Sequence, residues 1–92
     1  MRNYNVKPHL KRIIGHKYFI IPVFDEMPDM SHALFMNITA REILEFLEQD
    51  YSIADILNIL SNKYSVEKET LINDVNNVLE NLIKSGIIEV AE

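Results

Sequence analysis

"HALFMNITAREI", residues 32–43, changes its hydrophobic spacing halfway along. Leu34 and Met36 alternate with Ala33 and Phe35, which is the two-residue period of a β-strand. From residue 40 onward the apolar positions recur three and four residues apart, which is the period of an α-helix. The stretch therefore predicts a strand that leads directly into a helix.

Two more strand patterns precede this stretch. "LKRIIG" (residues 10–15) and "KYFIIPV" (17–23) are rich in β-branched and aromatic residues, and Gly15-His16 between them favours a tight turn. Pro22 has no N–H group to donate, so we expect it at a sheet edge or a strand end. "DEMPDM" (25–30) is typical of a turn or short loop. We thus expect three short antiparallel strands.

Three helical patterns follow, each with a capping signal. Thr39 with Glu42 matches a capping box and predicts a first helix over residues 40–49. Ser52 with Asp55 predicts the start of a second helix. Ser65 is the expected cap of a third helix over residues 67–85.

The end of the third helix is indicated by Gly86, a residue type that favours the C′ position. The segment "IIEV" (87–90) beyond it is extended and could pack on the core or add a short strand. The predicted fold is α+β and winged helix-turn-helix-like: a three-stranded antiparallel sheet followed by three helices. Residues 1–92 are expected to form a single domain.

The charge of the chain is strongly asymmetric. Residues 1–24 carry five basic side chains and no acidic ones, whereas the rest carries all 14 acidic side chains against four basic ones. The net charges of the two parts are therefore +5 and −10, which add to the overall −5. The acidic part would repel phosphate backbones and suits a basic partner, although a solvated acidic surface is an equally good interpretation.

Few residues in the sequence could carry out catalysis or bind a metal. The chain has no cysteine and only two glycines, which excludes thiolate sites and phosphate-binding glycine loops. Its histidines, at positions 9, 16 and 32, lack the spacing of a helical metal pair. We therefore expect no enzyme activity, no cofactor and no metal site. The lack of a signal peptide core or membrane-spanning segment indicates a cytoplasmic protein.

DNA binding is the first alternative, because winged helices commonly bind DNA. The third helix offers Lys68 and Lys84 against four acidic residues, which is unfavourable for phosphate contacts. We therefore expect no nucleic-acid partner and no membrane partner. A structural or oligomerising subunit is the second alternative.

The third strand is a candidate for pairing with another chain. It contains no proline or lysine, the residues that commonly protect an exposed sheet edge. An unprotected edge can bind a peptide as an added strand, or pair two copies of the protein into a homodimer. The competing interpretation is a central strand, or one covered by "IIEV".

Three segments in order resemble the PqqD-like family, also called RiPP recognition elements. "FMNITAREILEFL" resembles its strand-to-helix signature through Met36, Asn37, Ala40, Ile43 and Leu47. "YSIADILNILSNKYSV" and "DVNNVLENLIKSGII" resemble its second and third helices. "IIPV" and "HALFMN" are similar to its N-terminal strands, so the resemblance covers residues 9–90. Met36 departs from the usual leucine, and Asn76 stands where a hydrophobic residue is common.

The resemblance implies a peptide chaperone of ribosomally synthesised, post-translationally modified peptides. Such proteins bind the leader segment of a precursor peptide against the third strand, beside the third helix. They present it to an enzyme such as a radical SAM maturase, or a leader peptidase in lasso peptide systems. This chain would act as a stand-alone protein. The expected peptide-binding residues lie on the third strand and third helix: His32, Ala33, Leu34, Phe35, Met36, Ile72, Asn76, Leu79, Glu80 and Ile83.

Overall fold

The computed structural model of the protein describes residues 3–91, which form an α+β fold with three helices, as predicted. The strands number six in this part of the chain, whereas three were predicted. The strands are β1 (Asn3–Val6), β2 (His9–Ile14), β3 (Lys17–Phe24), β4 (Met27–Pro28), β5 (Leu34–Met36) and β6 (Ile88–Ala91). The helices are α1 (Ile38–Glu48), α2 (Ile53–Tyr64) and α3 (Lys68–Lys84), and a 3-10 turn covers Met30–His32. The winged-helix interpretation stays a prediction.

The larger sheet is built around β3. Strand β2 pairs with one side of β3 through the predicted turn, in which Gly15 adopts a φ of +62°. On the other side, β5 pairs with the first half of β3 and β4 pairs with its end. Asp25 and Glu26 connect β3 to β4 with φ values of 49° and 65°, the two positive values that a tight hairpin turn of type I′ requires. All these pairings are antiparallel.

Pro22 lies in the central strand, which corrects the expectation of an edge or strand end. The Val23 N–H donates to Pro8 O at 3.1 Å, towards β2, so the preceding residue directs its backbone to the opposite side. There, Pro22 falls between the residues paired with β5 and those paired with β4. Its carbonyl accepts from Asp29 N at 2.8 Å, and the missing N–H leaves no gap in a ladder.

A second, two-stranded sheet joins the two ends of the described chain. Strand β1 pairs antiparallel with β6, with Val6 opposite Ile88. "IIEV" therefore does add a strand, but next to β1 and not next to β5. The partner segment "NYNV" was not predicted as a strand. It alternates over only four residues, asparagine is depleted in strands, and its partner lies at the other end of the chain.

Two of the predicted helix caps are wrong. Asn37, and not Thr39, caps α1: its Oδ1 accepts the N–H of Ala40 at 2.8 Å. Ser65 does not cap α3, because it ends α2 in a left-handed conformation with φ of 51° and ψ of 38°. Residue Glu67 precedes α3 without a side-chain capping hydrogen bond.

The other two helix signals are confirmed. Ser52 caps α2, its hydroxyl accepting the N–H of Asp55 at 3.1 Å. Gly86 follows α3 with φ of +75°, and its N–H donates to Ile83 O at 3.0 Å while Ile87 N donates to Leu82 O at 3.0 Å. This pair of bonds is the Schellman arrangement that glycine favours at C′.

The core lies between the helices and one face of the β3 sheet. Tyr18, Ile20 and Met36 project from that face into a cluster of buried residues contributed mainly by the helices. The helix residues of this cluster are Ala40, Ile43, Leu44, Leu47, Ile56, Leu60, Leu71, Val75, Leu79 and Leu82. The helices thus cover one face of the sheet. The opposite face, called the outer face below, carries the side chains of residues 10, 12, 14, 17, 19, 21 and 35, as the register requires.

Candidate peptide-binding edge

Strand β5 has one edge without a strand partner in the part of the chain that the structure describes. Its register with β3 pairs Tyr18 with Met36 and Ile20 with Leu34. Val23 directs its N–H towards β2, so the even-numbered residues of β3 direct their backbone N–H and C=O groups towards β5. Leu34 and Met36, which lie opposite Ile20 and Tyr18, therefore form the hydrogen-bonded pairs with β3. Phe35 consequently directs its backbone N–H and C=O away from the sheet. These two groups form the open edge of β5, the candidate binding edge.

Strand β2 forms the other edge of this sheet and is better protected against pairing. It carries Lys11 and Arg12 side by side, and charged residues on an edge discourage the addition of another strand. Lys11 Nζ donates to Glu48 Oε1 of α1 at 2.8 Å, and this hydrogen bond raises the pKa of Lys11. The two edges therefore differ in a way that favours β5 as the open one.

The 3-10 turn before β5 is held by Asp29. Its carboxylate accepts from the Ser31 hydroxyl at 2.5 Å and lies 2.7 Å from His32 Nδ1. The hydrogen bond from Ser31, and then that from His32, lowers the pKa of Asp29 below its usual value. The sequence analysis did not single out Asp29, although Asp-x-Ser is a known signal for such a turn.

This turn narrows the predicted backbone contact. His32 lies in the turn and not in the strand, and its N–H donates to Asp29 O at 3.2 Å. The N–H of Ala33 is also used, donating to Met30 O at 3.3 Å. Of residues 32–36, Phe35 is therefore the residue with both backbone groups directed outward, and peptide binding by this segment stays a prediction.

The side chains of β5 alternate as predicted. Leu34 and Met36 pack on the core, whereas Phe35 is 58% exposed and its ring lies edge-on to Phe19, with ring centroids 5.9 Å apart. Beyond Met36, the chain enters α1 and borders a hollow of about 400 Å³. That hollow is lined by His16, Tyr18, Phe35, Met36, Asn37, Ile38, Thr39 and Arg41.

A second hollow, of about 510 Å³, lies on the outer face of the sheet and is called the outer hollow below. Its lining is apolar apart from one arginine: Leu10, Arg12, Ile14, Phe19, Ile21, Pro28, Met30 and Ala33. The predicted set of peptide-binding residues includes Ala33 but none of the others. Met30 and Phe19 were missed because nothing in the sequence indicates which sheet face the helices leave uncovered.

Helix α3 presents part of the predicted set at its surface. Ile72 is 36% and Ile83 is 40% exposed, and Asn76 and Glu80 are exposed as well. Leu79 is only 4% exposed and belongs to the core cluster. In this structure Leu79 therefore has almost no side-chain surface available to a peptide. Neither of the two hollows that border β5 includes a residue of α3.

Glu42 fixes α1, the helix that follows the binding edge, to the end of α2. Its carboxylate accepts from Lys63 Nζ at 2.6 Å and from the Tyr64 hydroxyl. Burial opposes the ionisation of Glu42, but these two hydrogen bonds and the charge of Lys63 outweigh it and lower its pKa. Glu42 thus joins two helices, whereas the sequence analysis placed it in a capping box.

Within residues 3–91, no three histidine, aspartate or glutamate side chains lie close enough together to hold a metal ion. None of the helices found there combines the length and apolar character needed to cross a membrane. The chemistry available at the β5 edge is that of backbone hydrogen bonds and apolar side-chain contacts.

Comparison with known proteins gave one family. The family described as Coenzyme PQQ synthesis protein D (PqqD) matches residues 27–88. The matched segment begins at β4 and runs through β5 and the three helices to the first residue of β6. Comparisons with curated proteins and with solved structures returned no significant match. Because the match spans well over half of the chain and includes the β5 edge, the protein belongs to the PqqD family.

Proposed function

We propose that this protein is a non-catalytic peptide chaperone that binds the leader segment of a ribosomally synthesised precursor peptide. The leader adds as a strand to the free edge of β5, and the bound precursor is presented to a modifying enzyme such as a radical SAM maturase or a leader peptidase. Membership of the PqqD family supports a precursor-peptide partner in the biosynthesis of such peptides.

The outward direction of the Phe35 backbone is the observation that carries this proposal. A strand added there would gain main-chain hydrogen bonds from Phe35 and side-chain contacts on both faces of β5. Micromolar affinity corresponds to about 8 kcal/mol, which a few such hydrogen bonds and two filled apolar sites can supply. On the helix side, Ile72, Asn76 and Ile83 are the candidates for side-chain contacts, with Glu80 available to a basic leader residue.

A backbone amide NMR titration tests the proposal. The probe is a synthetic peptide with the leader sequence of the precursor encoded nearest to this protein's gene, and duplex DNA is the control. We expect shifts around residues 33–37 with the peptide and none with DNA, since the acidic surface of α3 disfavours phosphate contacts. Shifts with DNA and none with the peptide would overturn the proposal.

A proline exchange isolates the edge. Phe35→Pro removes an N–H that points outward and so leaves the ladder to β3 intact, and we expect it to abolish peptide binding. Ile13→Pro is the matched control, because Ile13 directs its backbone to the outer edge of β2 by the same alternation. Equal effects of the two exchanges would contradict binding at β5.

Self-association through the same edge is the other outcome that the geometry permits. Two β5 edges could pair antiparallel about a two-fold axis. Sedimentation at increasing protein concentration, without peptide, detects this homodimer. If Phe35→Pro abolishes dimers and peptide binding alike, the two partners compete for one edge.

A further inference from the structure

The outer face of the sheet is an apolar surface that no described element of the chain covers. Ile14 and Met30 are 65% and 67% exposed there, and they stand at the rim of the outer hollow. Ile21 at the bottom of the hollow is almost fully buried. A contiguous apolar surface of this kind on a small protein commonly marks a binding site.

The outer hollow is continuous with the β5 edge. Phe35 stands beside that edge, and its ring contacts Phe19, which lines the hollow. Two residues before Phe35, Ala33 also lines the hollow but offers only a methyl group. On the outer face, the large side chain of Phe35 in β5 is therefore followed by the small side chain of Ala33, just before β5. The exposed Met30 lies beside this low point.

A strand added to β5 would align its side chains with those of Phe35 and Ala33. Residues directly opposite each other in paired strands project on the same face, so the peptide residue opposite Phe35 lies on the outer face beside the ring. The peptide residue two positions further, towards the 3-10 turn, lies on the same face next to Ala33. A long side chain at that position reaches over the alanine towards Phe19 and Ile21.

The charge of the outer face limits what this side chain can be. The charged residues that the register places on the outer face are Arg12 and Lys17, both basic. Neither has a carboxylate partner among the residues that the structure describes. A basic peptide residue would therefore be repelled, whereas an apolar one is accepted. The same argument disfavours a symmetric dimer formed through the outer faces of two copies. In such a dimer the positive charges of Arg12 and Lys17 would repel those of the other copy.

We propose that the outer hollow is a specificity site for the leader peptide. It takes a large apolar side chain, located two residues from the one opposite Phe35, that enters over Ala33 and packs against Phe19, Ile21 and Met30. This inference rests on the proposed binding of a peptide at the β5 edge. It adds a second contact surface, on the sheet face opposite to the one that faces α3.

A double-mutant cycle tests the inference. The same synthetic leader peptide is titrated by amide NMR into the wild-type protein and into Ala33→Leu, which fills the low point. Each apolar residue of the peptide is replaced by alanine in turn. We expect one replacement to raise Kd at least about tenfold with the wild-type protein, the value for a buried leucine-sized side chain. With the Ala33→Leu protein, we expect a higher Kd for the parent peptide. The same alanine replacement in the peptide should then cause no further rise in Kd.

Two further variants exclude indirect effects. Met30→Ala removes an exposed side chain from the wall of the outer hollow and leaves the core unchanged. We expect it to raise the Kd for the parent peptide, while the β5 amide shifts on binding persist. Ala54→Leu, an alanine exposed on α2, is the matched control and should leave Kd unchanged. Replacement of the sensitive peptide residue by lysine should weaken binding more than replacement by alanine, and Arg12→Gln should reduce that difference. Lys68→Gln on α3 is the control for charge.

The outcomes separate this inference from the proposed function. If β5 amides shift with the peptide but Ala33→Leu and Met30→Ala leave Kd unchanged, the specificity site is overturned and peptide binding at the edge stands. If the β5 amides do not shift, binding at the edge fails and the specificity site fails with it. If Ala33→Leu alters only sedimentation, the outer hollow belongs to a contact between copies and the inference is overturned.

Discussion

Asn37 decides where strand ends and helix begins. Its backbone is still extended, with φ of −76° and ψ of 177°, and its side chain already satisfies the N–H of Ala40. One residue thus terminates β5 and opens α1, so the binding edge and the helix packed behind it have a fixed relation. Thr-x-x-Glu at residues 39–42 matches a capping box and so predicted Thr39 as the cap, but asparagine two residues earlier caps at least as well.

Alanine exchanges at these two positions distinguish the caps. We expect Asn37→Ala to lower the free energy of unfolding by about 1 kcal/mol, the usual loss for an N-cap asparagine, because the Ala40 N–H loses its acceptor. Thr39→Ala should change it by less than about 0.5 kcal/mol, as expected for a residue without a capping role. Urea unfolding of both variants at pH 7 measures the difference. A larger loss for Thr39→Ala would contradict the capping assignment.

Secondary elements were predictable in proportion to their own periodic signal. The β2–β3 hairpin, β5 and all three helices follow from spacing and turn residues, because each contains enough positions for a pattern to appear. Strands β1 and β6 hold four residues each, and their pairing joins segments at opposite ends of the chain. Strand β4 has two residues, and its pairing depends on the positive φ values of Asp25 and Glu26. Aspartate is common in such a turn, but glutamate stands where glycine is the usual second residue.

The candidate site was predictable only in part, for a similar reason. The edge character of β5 follows from its composition, and the alternation of Leu34, Phe35 and Met36 follows from its spacing. The use of the His32 N–H within the turn, the burial of Leu79 and the uncovered outer face depend on tertiary packing. A helical wheel places Leu79 beside Ile72 and Ile83, at the border where a small rotation decides between core and surface.

The junction between α1 and α2 makes stability depend on pH through Glu42. Its pKa is lower in the folded protein than the usual value of 4.5, so its contribution is complete above pH 4.5 and is lost as the pH falls through the folded pKa. Glu42→Gln should therefore be less stable than the wild type at pH 7, because Lys63 and Tyr64 lose an ionised acceptor. The difference should shrink as the pH falls below 4.5. Urea midpoints at pH 7, 4.5 and 3 measure it.

Glu45→Gln is the matched control on the same helix. Glu45 pairs with Arg41 one turn away, and both side chains are about half exposed, an arrangement that contributes little to stability. We expect its urea midpoint to stay close to that of the wild type at all three pH values. An equal pH dependence of the two variants would show that Glu42 is not the group responsible.

At the scale of the whole molecule, positive and negative charges are concentrated in different layers, the sheet and the helices. Lys11, Arg12 and Lys17 lie on the strands of the larger sheet, and the helices carry seven of the 13 acidic residues that the structure describes. The β5 edge lies where the layers meet, so a bound peptide would contact a basic sheet face on one side and acidic helices on the other. Such a division would orient an approaching peptide, and we expect the association rate to fall as the salt concentration rises.

Strands β1 and β6 form a sheet of their own, separate from the sheet that contains β5. Stability and peptide binding can therefore be varied separately. Ile88, the first residue of β6, is fully buried, whereas Val90, two residues further along, is partly exposed. Ile88→Ala should lower the free energy of unfolding by about 2–4 kcal/mol, the usual cost of truncating a buried isoleucine, and Val90→Ala by less than about 1 kcal/mol.

Because neither residue contributes to β5 or to the outer hollow, the Kd of the folded protein for the leader peptide should be unchanged in both variants. Urea unfolding combined with the amide titration measures both quantities. A rise in Kd for Ile88→Ala under conditions where the variant is fully folded would mean that the closing sheet also positions the binding edge.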